Sequence, residues 1–257
     1  MTANGGEIAV IVPARYASTR LPGKPLAGIG GLPMVVRVAL RGLEADCGPV
    51  TVATDDERVA TVCRDHAIDV VMTRIDHPSG SDRVHEALGL LGFEPEIAVV
   101  LQGDLPLIDP AHIRTVAEPL RDTREADIAT LATLIRDEAE AANPNVVKVI
   151  ATPIRGVGWA PGDRLRALYF TRARAPHGEG PLLHHVGLYA YRARALRRFV
   201  ALPPGGLEQR ERLEQLRALE NGMRIDVAVV EGQPLGVDSP ADLETARALL
   251  ASEESAT

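Results

Sequence analysis

The sequence has 257 residues, of which 46% are apolar and only 3% aromatic, and its formal net charge is −7. This length and apolar content suffice for one large α/β core or two small ones, whereas the acidity and the scarcity of aromatic rings argue against a nucleic-acid-binding surface. Any polyanionic ligand must therefore bind at a local cluster of arginines and lysines.

The two cysteines, Cys47 and Cys63, lack metal-ligand spacing and are too few for a disulfide framework, so we expect reduced thiols. The N-terminal stretch MTANGGEIAVIVPARYAS lacks the basic start and the long apolar run of a signal peptide. No later segment approaches the roughly 20 apolar residues that a membrane span requires. We therefore expect a cytoplasmic protein.

The first half of the chain alternates apolar runs with helix-period segments, which is the pattern of βαβ units on a parallel sheet. Strands are predicted over residues 8–14, 50–54, 69–73 and 96–104, and helices over residues 34–45, over residues 55–67 and from about Ser81 onward. Because these strands are continuous apolar runs, we expect helices on both faces of the sheet.

Beyond residue 126 the pattern changes to short β-rich runs without helices between them, which predicts a mixed or antiparallel extension. These runs are IATLATLI, VVKVI, ALYF and HHVGLYAYR, and the Pro- and Gly-rich residues 152–165 are predicted to form a loop. Helices are then predicted around Leu196 and from Leu207 to Gly222, followed by a strand at RIDVAVV and a closing helix that Ser239 caps. With no internal repeat and no linker, residues 1–257 are predicted to form a single α/β domain.

The stretch after the first predicted strand, ARYASTRLPGKPL, concentrates cations and small residues in one loop. These residues are Arg15, Ser18, Thr19, Arg20, Gly23 and Lys24. In an open α/β sheet such a loop faces the ligand crevice, where backbone N–H groups and cations bind phosphate. It is not a P-loop, since Ser18 and Pro25 occupy positions where that motif requires glycine and a hydroxyl residue, and no GxGxxG is present. The alternative is a solvated basic turn.

Two aspartates follow predicted strands, Asp104 in QGDLP and Asp238 in GVDSP. Carboxylates at separate strand ends can converge on one Mg²⁺, which prefers oxygen ligands and keeps waters and phosphates in its other positions. Each aspartate also has a purely structural interpretation, because Asp238 could cap the last helix and Asp104 could form an Asx turn.

These stretches together resemble the 3-deoxy-manno-octulosonate (Kdo) cytidylyltransferases, or CMP-Kdo synthetases. The resemblance extends from about Ile8 to Leu250 and includes PARYASTRLPGKPL, ATDDERV, HPSGSDR, LQGD, NPNVVKV, ALYFTR, HHVGLYAYR, LEQLRALE and GVDSPADLE. The first of these runs is highly specific, whereas LEQLR alone carries little weight. The resemblance implies a Rossmann-like, mostly parallel sheet with helices on both faces and a mixed extension in the second half.

The resemblance also implies a reaction, in which CMP passes from CTP to Kdo and pyrophosphate leaves, for lipopolysaccharide biosynthesis. It implies Mg²⁺ as cofactor, a homodimer, a mainly CTP-binding half over residues 8–125, and a mainly sugar-acid-binding and dimerisation half over residues 126–250. The residues implied to bind CTP are Arg15, Ser18, Arg20, Lys24, Ser79, Gly80 and Arg83. Those implied to bind the sugar acid are Gln102, Arg172, His185, Tyr189, Glu214 and Gln215. Asp104 and Asp238 would hold the metal, and Arg15 and Lys24 would act in catalysis on the leaving pyrophosphate.

Some of these residues have simpler interpretations. His184 and His185 are neighbours on a predicted strand and point to opposite faces, so one of them is an ordinary structural residue. Tyr189 and Tyr191 share a face and could simply pack, and Glu214 with Gln215 could decorate a helix.

The sequence also departs from the family pattern. Leu105 stands where many relatives have Glu, and His177 stands where many have Trp. Alternative functions are a cytidylyltransferase for a related acid, such as an 8-amino Kdo analogue or a phosphonate, and a non-catalytic nucleotide-binding protein.

Overall fold

The computed structural model describes residues 7–18, 20–92, 94–154 and 158–255. Thr19, which belongs to the predicted phosphate loop, lies outside the described residues. Two compact units are present, one formed by residues up to 114 together with those from 234 onward, and the other by residues 115–233. The C-terminal segment therefore folds with the N-terminal one.

A parallel sheet forms the core of the first unit. The strands of this unit are β1 (Ile8–Ala14), β2 (Gly28–Ile29), β3 (Leu32–Pro33), β4 (Val50–Thr54), β5 (Val70–Met72) and β6 (Ile97–Val100). The parallel order is β5-β4-β1-β6, with Val10 opposite Val50 and Ile8 opposite Ile97, while β2 and β3 form a short hairpin. All residues of β4 and β6 are buried, as predicted for strands covered on both faces.

Helices follow these strands, and all but the last of them are predicted from the sequence. They are α1 (Met34–Glu44), α2 (Glu57–Asp65), α3 (Gly80–Leu91) and α4 (Pro110–Thr115). Side chains cap two of them, because Asp56 accepts a hydrogen bond from the N–H of Arg58 and Ser79 accepts one from the N–H of Asp82. The helix predicted from about Ser81 therefore begins one residue earlier, at Gly80.

The second unit contains a mixed sheet, which confirms the predicted extension. Its strands are β7 (Ile128–Ile135), β8 (Lys148–Pro153), β9 (Arg164–Thr171), β10 (Leu182–Arg192) and β11 (Ile225–Val229). Their order is β10-β7-β11-β9-β8, and only the β7–β11 pair is parallel among these described pairings. In addition, β8 pairs with β10 at Lys148 and His184.

The helices of the second unit correct two predictions. They are α5 (Glu118–Asp122), α6 (Glu138–Ala142), α7 (Ala193–Val200), α8 (Gly206–Glu211) and α9 (Leu216–Glu220). The expectation of no helix between the β-rich runs is wrong at α6, where Asp137 accepts a capping hydrogen bond from the N–H of Glu140. The continuous helix predicted from Leu207 to Gly222 is also wrong, because Arg212 adopts a left-handed φ of 56° and ends α8.

The last helix, α10 (Pro240–Ser255), returns to the first unit. Ser239 Oγ accepts a hydrogen bond from the N–H of Asp242, and Asp242 accepts one from the N–H of Ser239, so this helix begins at the predicted cap. Arg247 then donates to the carbonyl of Gly28 at 2.9 Å, which ties the helix to β2.

Both cysteines are free thiols, as predicted. Cys63 is buried in α2, and this burial raises the pKa of its thiol to about 11, so it is an inert core residue. Among the described helices, none has the length and apolar character needed to cross a bilayer.

Candidate active site

A polar cleft of about 360 Å³ opens in the first unit beside the residues that follow β1 and β6. Its lining consists of Pro13, Ala14, Arg15, Ser18, Arg20, Lys24, Pro25, His77, Pro78, Ser79, Gly80, Arg83, Gln102, Gly103, Asp104 and Asp238. Four cationic and two carboxylate side chains are among them, which leaves a local positive surplus in a chain of net charge −7. This is the local basic cluster that a polyanionic ligand requires.

Lys24 joins the two predicted metal ligands at the floor of this cleft. Its Nζ donates to Asp104 Oδ2 at 2.9 Å and to Asp238 Oδ1 at 2.8 Å. Arg20 adds a contact of 3.0 Å to Asp238 Oδ2. The Lys24 side chain is only 14% exposed, so this cluster is shielded more than an ordinary surface ion pair. The structure thus brings together two aspartates that are far apart in sequence.

A backbone hydrogen bond places the two aspartates side by side. The N–H of Val237 donates to the carbonyl of Asp104 at 2.9 Å. The prediction that Asp238 directly follows a strand is wrong, because β11 ends at Val229. The first turn of α10 holds it instead, since the N–H of Asp238 donates to Asp242 Oδ2 at 3.1 Å.

The carboxylates of both aspartates face Lys24. Within the described part of the chain, they do not bond to the backbone N–H groups that a helix cap or an Asx turn would use. Ser239 provides the cap of α10, and Asp238 uses both carboxylate oxygens for Lys24 and Arg20. Asp104 Oδ2 likewise bonds to Lys24. These geometries favour the ligand interpretation over the helix cap and the Asx turn.

The cationic loop after β1 is folded tightly at Gly23. This glycine has a left-handed φ of 68°, and an added Cβ would lie 3.2 Å from the Tyr16 hydroxyl. Lys24 then begins a short 3₁₀ turn, while Arg15 and Arg20 are exposed to solvent. Ser18 Oγ accepts a long hydrogen bond of 3.4 Å from the N–H of Leu21. The loop therefore fixes Lys24 and leaves the Arg15 side chain exposed, while the exposed Arg20 pairs with Asp238.

Ser79 and Gly80 form the N-terminus of α3 at the edge of the cleft. Ser79 Oγ donates to Asp82 Oδ2 at 2.6 Å and caps the helix, so its hydroxyl is already engaged. Gly80 is the first helical residue and lines the cleft. The first turn of a helix carries N–H groups without intrahelical partners and a partial positive charge, both of which suit an electron-rich ligand.

Arg83 differs from the other predicted CTP-binding cations because its side chain is only 3% exposed. Its Nη2 lies 3.0 Å from Asp55 Oδ2, and its Nη1 donates to Thr73 Oγ1 at 2.5 Å. The guanidinium is therefore held rigidly in the cleft wall.

The donor set around Asp104 fits a hard divalent cation. Two carboxylates face one cleft, and Mg²⁺ commonly binds through one or two carboxylates while substrate phosphates and waters complete its shell. No group of three or more His, Cys, Asp or Glu suitable for a metal occurs among the described residues. Two aspartates beside a cluster of cations therefore suit a divalent metal that binds together with an anionic ligand.

The predicted sugar-acid residues are divided between the two units. Gln102 lines the cleft of the first unit. The others lie in the second unit and are Arg172, His185, Tyr189, Glu214 and Gln215.

His185 and Tyr189 belong to one aromatic cluster on β10, with ring centroids 5.4 Å apart. Burial, with a smaller effect of His184, lowers the pKa of His185 to about 3, so this imidazole is neutral at physiological pH. Burial raises the pKa of Tyr189 well above its usual value, with Tyr191 and the Glu214 carboxylate adding to the effect. Both groups are therefore uncharged hydrogen-bonding partners.

His184 and His185 have different environments, as predicted for neighbours on a strand. His184 Nδ1 lies 2.6 Å from Glu140 Oε1 in a partly buried pair, whereas His185 Nε2 lies 3.0 Å from Thr130 Oγ1 in the core. His184 therefore pairs with a carboxylate, whereas His185 is bonded to a core hydroxyl.

Backbone carbonyls hold Arg172, whereas Gln215 is buried with an amide nitrogen that the described residues leave unsatisfied. The Arg172 side chain donates from Nε to the carbonyl of Glu211 at 2.9 Å and from Nη1 to that of Pro144 at 3.1 Å. Gln215 is 5% exposed, and within the described part of the chain its Nε2 has no hydrogen-bond partner. A buried amide left in this state is costly, which suggests that a ligand group satisfies it.

The two departures from the family pattern have different surroundings. Leu105 is buried at 7% exposure beside the Asp104 loop, and an added Cβ on Gly236 would lie 4.0 Å from its side chain. His177 is exposed in the loop between β9 and β10. Leu105 therefore packs beneath the aspartates, and nothing in the structure explains His177.

Two features of the cleft escaped the sequence reasoning. Asp55 follows β4 and bonds to Arg83, although in the sequence it marks only the start of the helix predicted over residues 55–67. His77 lines the cleft and pairs with Glu86 Oε2 at 2.5 Å. Although burial opposes it, hydrogen bonds from His77 and from the N–H of Arg74 keep the pKa of Glu86 below its usual value. The strand-end rule that selected Asp104 would also have selected Asp55.

Comparison with known proteins identifies the family of this chain. Residues 9–225 match the model of the family described as Cytidylyltransferase. A 3-deoxy-manno-octulosonate cytidylyltransferase of Chelativorans sp. is 60% identical over 243 residues, which is 94% of this chain and 96% of that protein. The chain belongs to this family. The family resemblance inferred from the sequence is thereby confirmed.

Two further relatives support the assignment of this cytidylyltransferase. The 3-deoxy-manno-octulosonate cytidylyltransferase of Azorhizobium caulinodans is 58% identical over 256 residues, covering 99% of this chain and 100% of that protein. A solved structure of CMP:2-keto-3-deoxy-manno-octonic acid synthetase complexed with CTP matches with a TM-score of 0.88 and 40% identity, over 96% of this chain and 99% of that one. The α/β fold predicted from the sequence is confirmed by that match.

Proposed function

We propose that this enzyme transfers CMP from CTP to the anomeric C2 hydroxyl of Kdo and releases pyrophosphate. The observation that carries the proposal is the convergence of Lys24, Asp104 and Asp238 in a cleft with a surplus of positive charge. The names of the relatives and the CTP-bound structural relative support this pair of substrates.

The cations of the cleft account for triphosphate binding. Arg15 and Arg20 are exposed, and Arg20 pairs with Asp238 at 3.0 Å, whereas Lys24 is held by two carboxylates. When CTP binds, these cations neutralise its phosphate oxygens, and Arg15 and Lys24 stabilise the charge that accumulates on the departing pyrophosphate. The hydroxyl attacks the α-phosphorus in line, so no covalent enzyme intermediate is required.

Asp104 and Asp238 are the residues that would hold Mg²⁺. When bound, Mg²⁺ would polarise the α-phosphate and lower the pKa of the attacking hydroxyl. A histidine base is then unnecessary, and His185 is poorly suited to that role because burial lowers its pKa to about 3.

We assign the sugar acid mainly to residues of the second unit. The remaining N–H groups of Arg172 suit the Kdo carboxylate, because a guanidinium presents paired donors to a planar anion. Gln215 Nε2, His185 and the protonated Tyr189 hydroxyl are matched to sugar hydroxyls. In this assignment CTP binds mainly to the first half of the chain and the acid mainly to the second.

Family membership supports three further assignments for this enzyme. We infer that it works as a homodimer, in the cytoplasm, in the supply of activated Kdo for lipopolysaccharide. Sedimentation at working concentration tests the dimer, for which one peak at twice the mass of 27.5 kDa is expected.

The proposed function is tested by measuring pyrophosphate release from CTP and Mg²⁺ with a panel of acids. Kdo, its 8-amino analogue, a small phosphonate and a sialic acid form the panel, and UTP and ATP replace CTP in parallel. We expect Kdo with CTP to give the highest kcat/KM. A higher value for another acid would identify a related cytidylyltransferase, and CTP binding without turnover of any acid would identify a non-catalytic nucleotide-binding protein.

A further inference from the structure

Asp55 makes two contacts behind the cleft that join separate parts of its wall. Its Oδ1 accepts a hydrogen bond from the N–H of Tyr16 at 3.2 Å, and its Oδ2 lies 3.0 Å from Arg83 Nη2. Tyr16 belongs to the cationic loop after β1, and Arg83 belongs to α3. The Asp55 side chain is 6% exposed, so both contacts are shielded from water.

The Arg83 contact compensates a buried charge. The guanidinium is 3% exposed, and Thr73 Oγ1 accepts a hydrogen bond from its other terminal nitrogen. Thr73 is itself fixed to Thr54, because its N–H donates to the Thr54 carbonyl at 2.8 Å. Arg83 is therefore held between the ends of β4 and β5, with Asp55 as its carboxylate partner. Removing that carboxylate would leave a buried cation without its counter-ion.

The Tyr16 contact fixes the loop that carries Arg15 and Lys24. The Tyr16 ring packs on two sides, since the Arg58 guanidinium lies 3.5 Å from its centroid and a Cβ on Gly23 would meet its hydroxyl at 3.2 Å. The Asp55 carboxylate anchors the same residue through its backbone. The start of the loop is thus tied to the end of β4.

We propose that Asp55 is a positioning residue of the CTP site, which aligns the cationic loop and Arg83 with one carboxylate. It is absent from the described lining of the cleft, so it acts through its two partners and not by touching the nucleotide. This proposal rests on the proposed function, because it takes the cleft as the CTP site. Arg83 is charged, and Tyr16 lies next to the charged Arg15. A small displacement of Tyr16 and Arg83 would therefore weaken several contacts to CTP at once.

Asp55→Asn tests the proposal with little change in shape. The amide oxygen can still accept from the N–H of Tyr16, but the negative charge opposite Arg83 is lost. We expect equilibrium CTP binding, measured by calorimetry, to weaken by about tenfold or more, on the scale of one charge-assisted contact. The KM for Kdo should stay within about twofold of the wild type, because that substrate is assigned to other residues.

Two comparison variants separate positioning from stability. Val52→Ala replaces a buried isopropyl group on β4, the strand that Asp55 follows, with a methyl group. It should lower the melting temperature while CTP affinity stays unchanged. Asp55→Asn combined with Arg83→Gln removes the uncompensated charge, so it should regain thermal stability but keep the weak CTP binding.

If Asp55→Asn does not fold, Asp55→Glu provides the test, since it keeps the charge and displaces the carboxylate by one methylene. We expect intermediate CTP affinity for this variant. The proposal is overturned if either folded Asp55 variant binds CTP with wild-type affinity. It is also overturned if CTP and Kdo are weakened equally and in step with the melting temperature, as a general structural defect would cause. Failure of the wild type to use Kdo would instead overturn the proposed function, because CTP binding is measured without turnover.

Discussion

Replacement of Lys24 by Met tests the charge cluster at the centre of the cleft. The Lys24 ammonium is 2.9 Å from Asp104 Oδ2 and 2.8 Å from Asp238 Oδ1. Methionine keeps the length of the side chain and removes the charge. The two carboxylates then lose their shared counter-ion and repel each other across the cleft.

The expected loss of stability follows from the exposure of Lys24 and its two carboxylate partners. Lys24 is 14% exposed, but its partners are 31% and 45% exposed, so water screens the carboxylates after the substitution. Hydrogen bonds between charged groups contribute about 1.5–3 kcal/mol when shielded, and well-exposed pairs contribute about 1 kcal/mol or less. We therefore expect the free energy of unfolding to fall by about 1–3 kcal/mol in low salt.

The substitution should also lower the catalytic efficiency with CTP. Lys24→Met should lower kcat/KM for CTP by on the order of 10²-fold or more, the scale of one preorganised electrostatic contact. The assay is pyrophosphate release at saturating Kdo, with denaturant unfolding of the same preparations. Arg41→Met, which removes an exposed i,i+3 partner of Glu44, provides a control with little expected effect on either quantity. CTP kinetics within twofold of the wild type in Lys24→Met would refute its role in phosphate binding.

Three other substitutions give distinct signatures. His185→Gln should reduce the loss of stability at acid pH. In the wild type, His185 gains a proton near pH 6.5 when the chain is unfolded, whereas burial lowers its pKa in the folded protein to about 3. The free energy of unfolding of the wild type should therefore fall by about 2 kcal/mol between pH 7 and pH 5 in denaturant titrations. An equal loss in the variant would contradict this. Lys148→Met should destabilise by about 1–3 kcal/mol, because the carbonyls of Asn143, Val146 and Arg172 lose the buried ammonium that donates to them, and unchanged unfolding would contradict it. Gln215→Leu should leave the melting temperature unchanged or raise it in calorimetry, since it removes a buried amide nitrogen without a partner in the described structure. The same substitution should raise the KM for Kdo about tenfold. An unchanged KM would show that Gln215 only packs in the core.

Much of the first unit could be predicted from local pattern. Continuous apolar runs locate β1 and β4, and the side chains of Asp56 and Ser79 mark the starts of α2 and α3 where capping rules place them. The strand-end rule then selects Asp104, because the loop after β6 opens on the cleft.

The second unit was harder to predict because its breaks depend on individual residues. Glu and Arg at helical spacing occur throughout residues 207–222, yet Arg212 adopts a left-handed conformation and Arg217 reaches back to Glu208 at 2.6 Å. A helical charge pattern is compatible with both a continuous and a broken helix. The five-residue α6 is too short to show a periodic pattern.

The contacts of Asp55 and Asp238 also depend on tertiary structure. Asp238 reaches the cleft through the hydrogen bond between Val237 and Asp104, which no local sequence feature indicates. Asp55 had a local signal, since it follows β4 directly, but the acidic pair of Asp55 and Asp56 reads equally well as a helix start. Only Asp56 is the cap, and Asp55 turns toward Arg83.

The most direct test of the site is a titration with Mn²⁺ in the presence of CTP, followed by electron paramagnetic resonance. If Asp104 and Asp238 hold one divalent ion beside the nucleotide, the wild type binds one protein-dependent Mn²⁺ per chain. Asp104→Asn and Asp238→Asn should each weaken that binding by about tenfold or more, whereas Asp109→Asn, at the exposed start of α4, should not. Mn²⁺ affinity equal to the wild type in either of the first two variants would contradict the metal site.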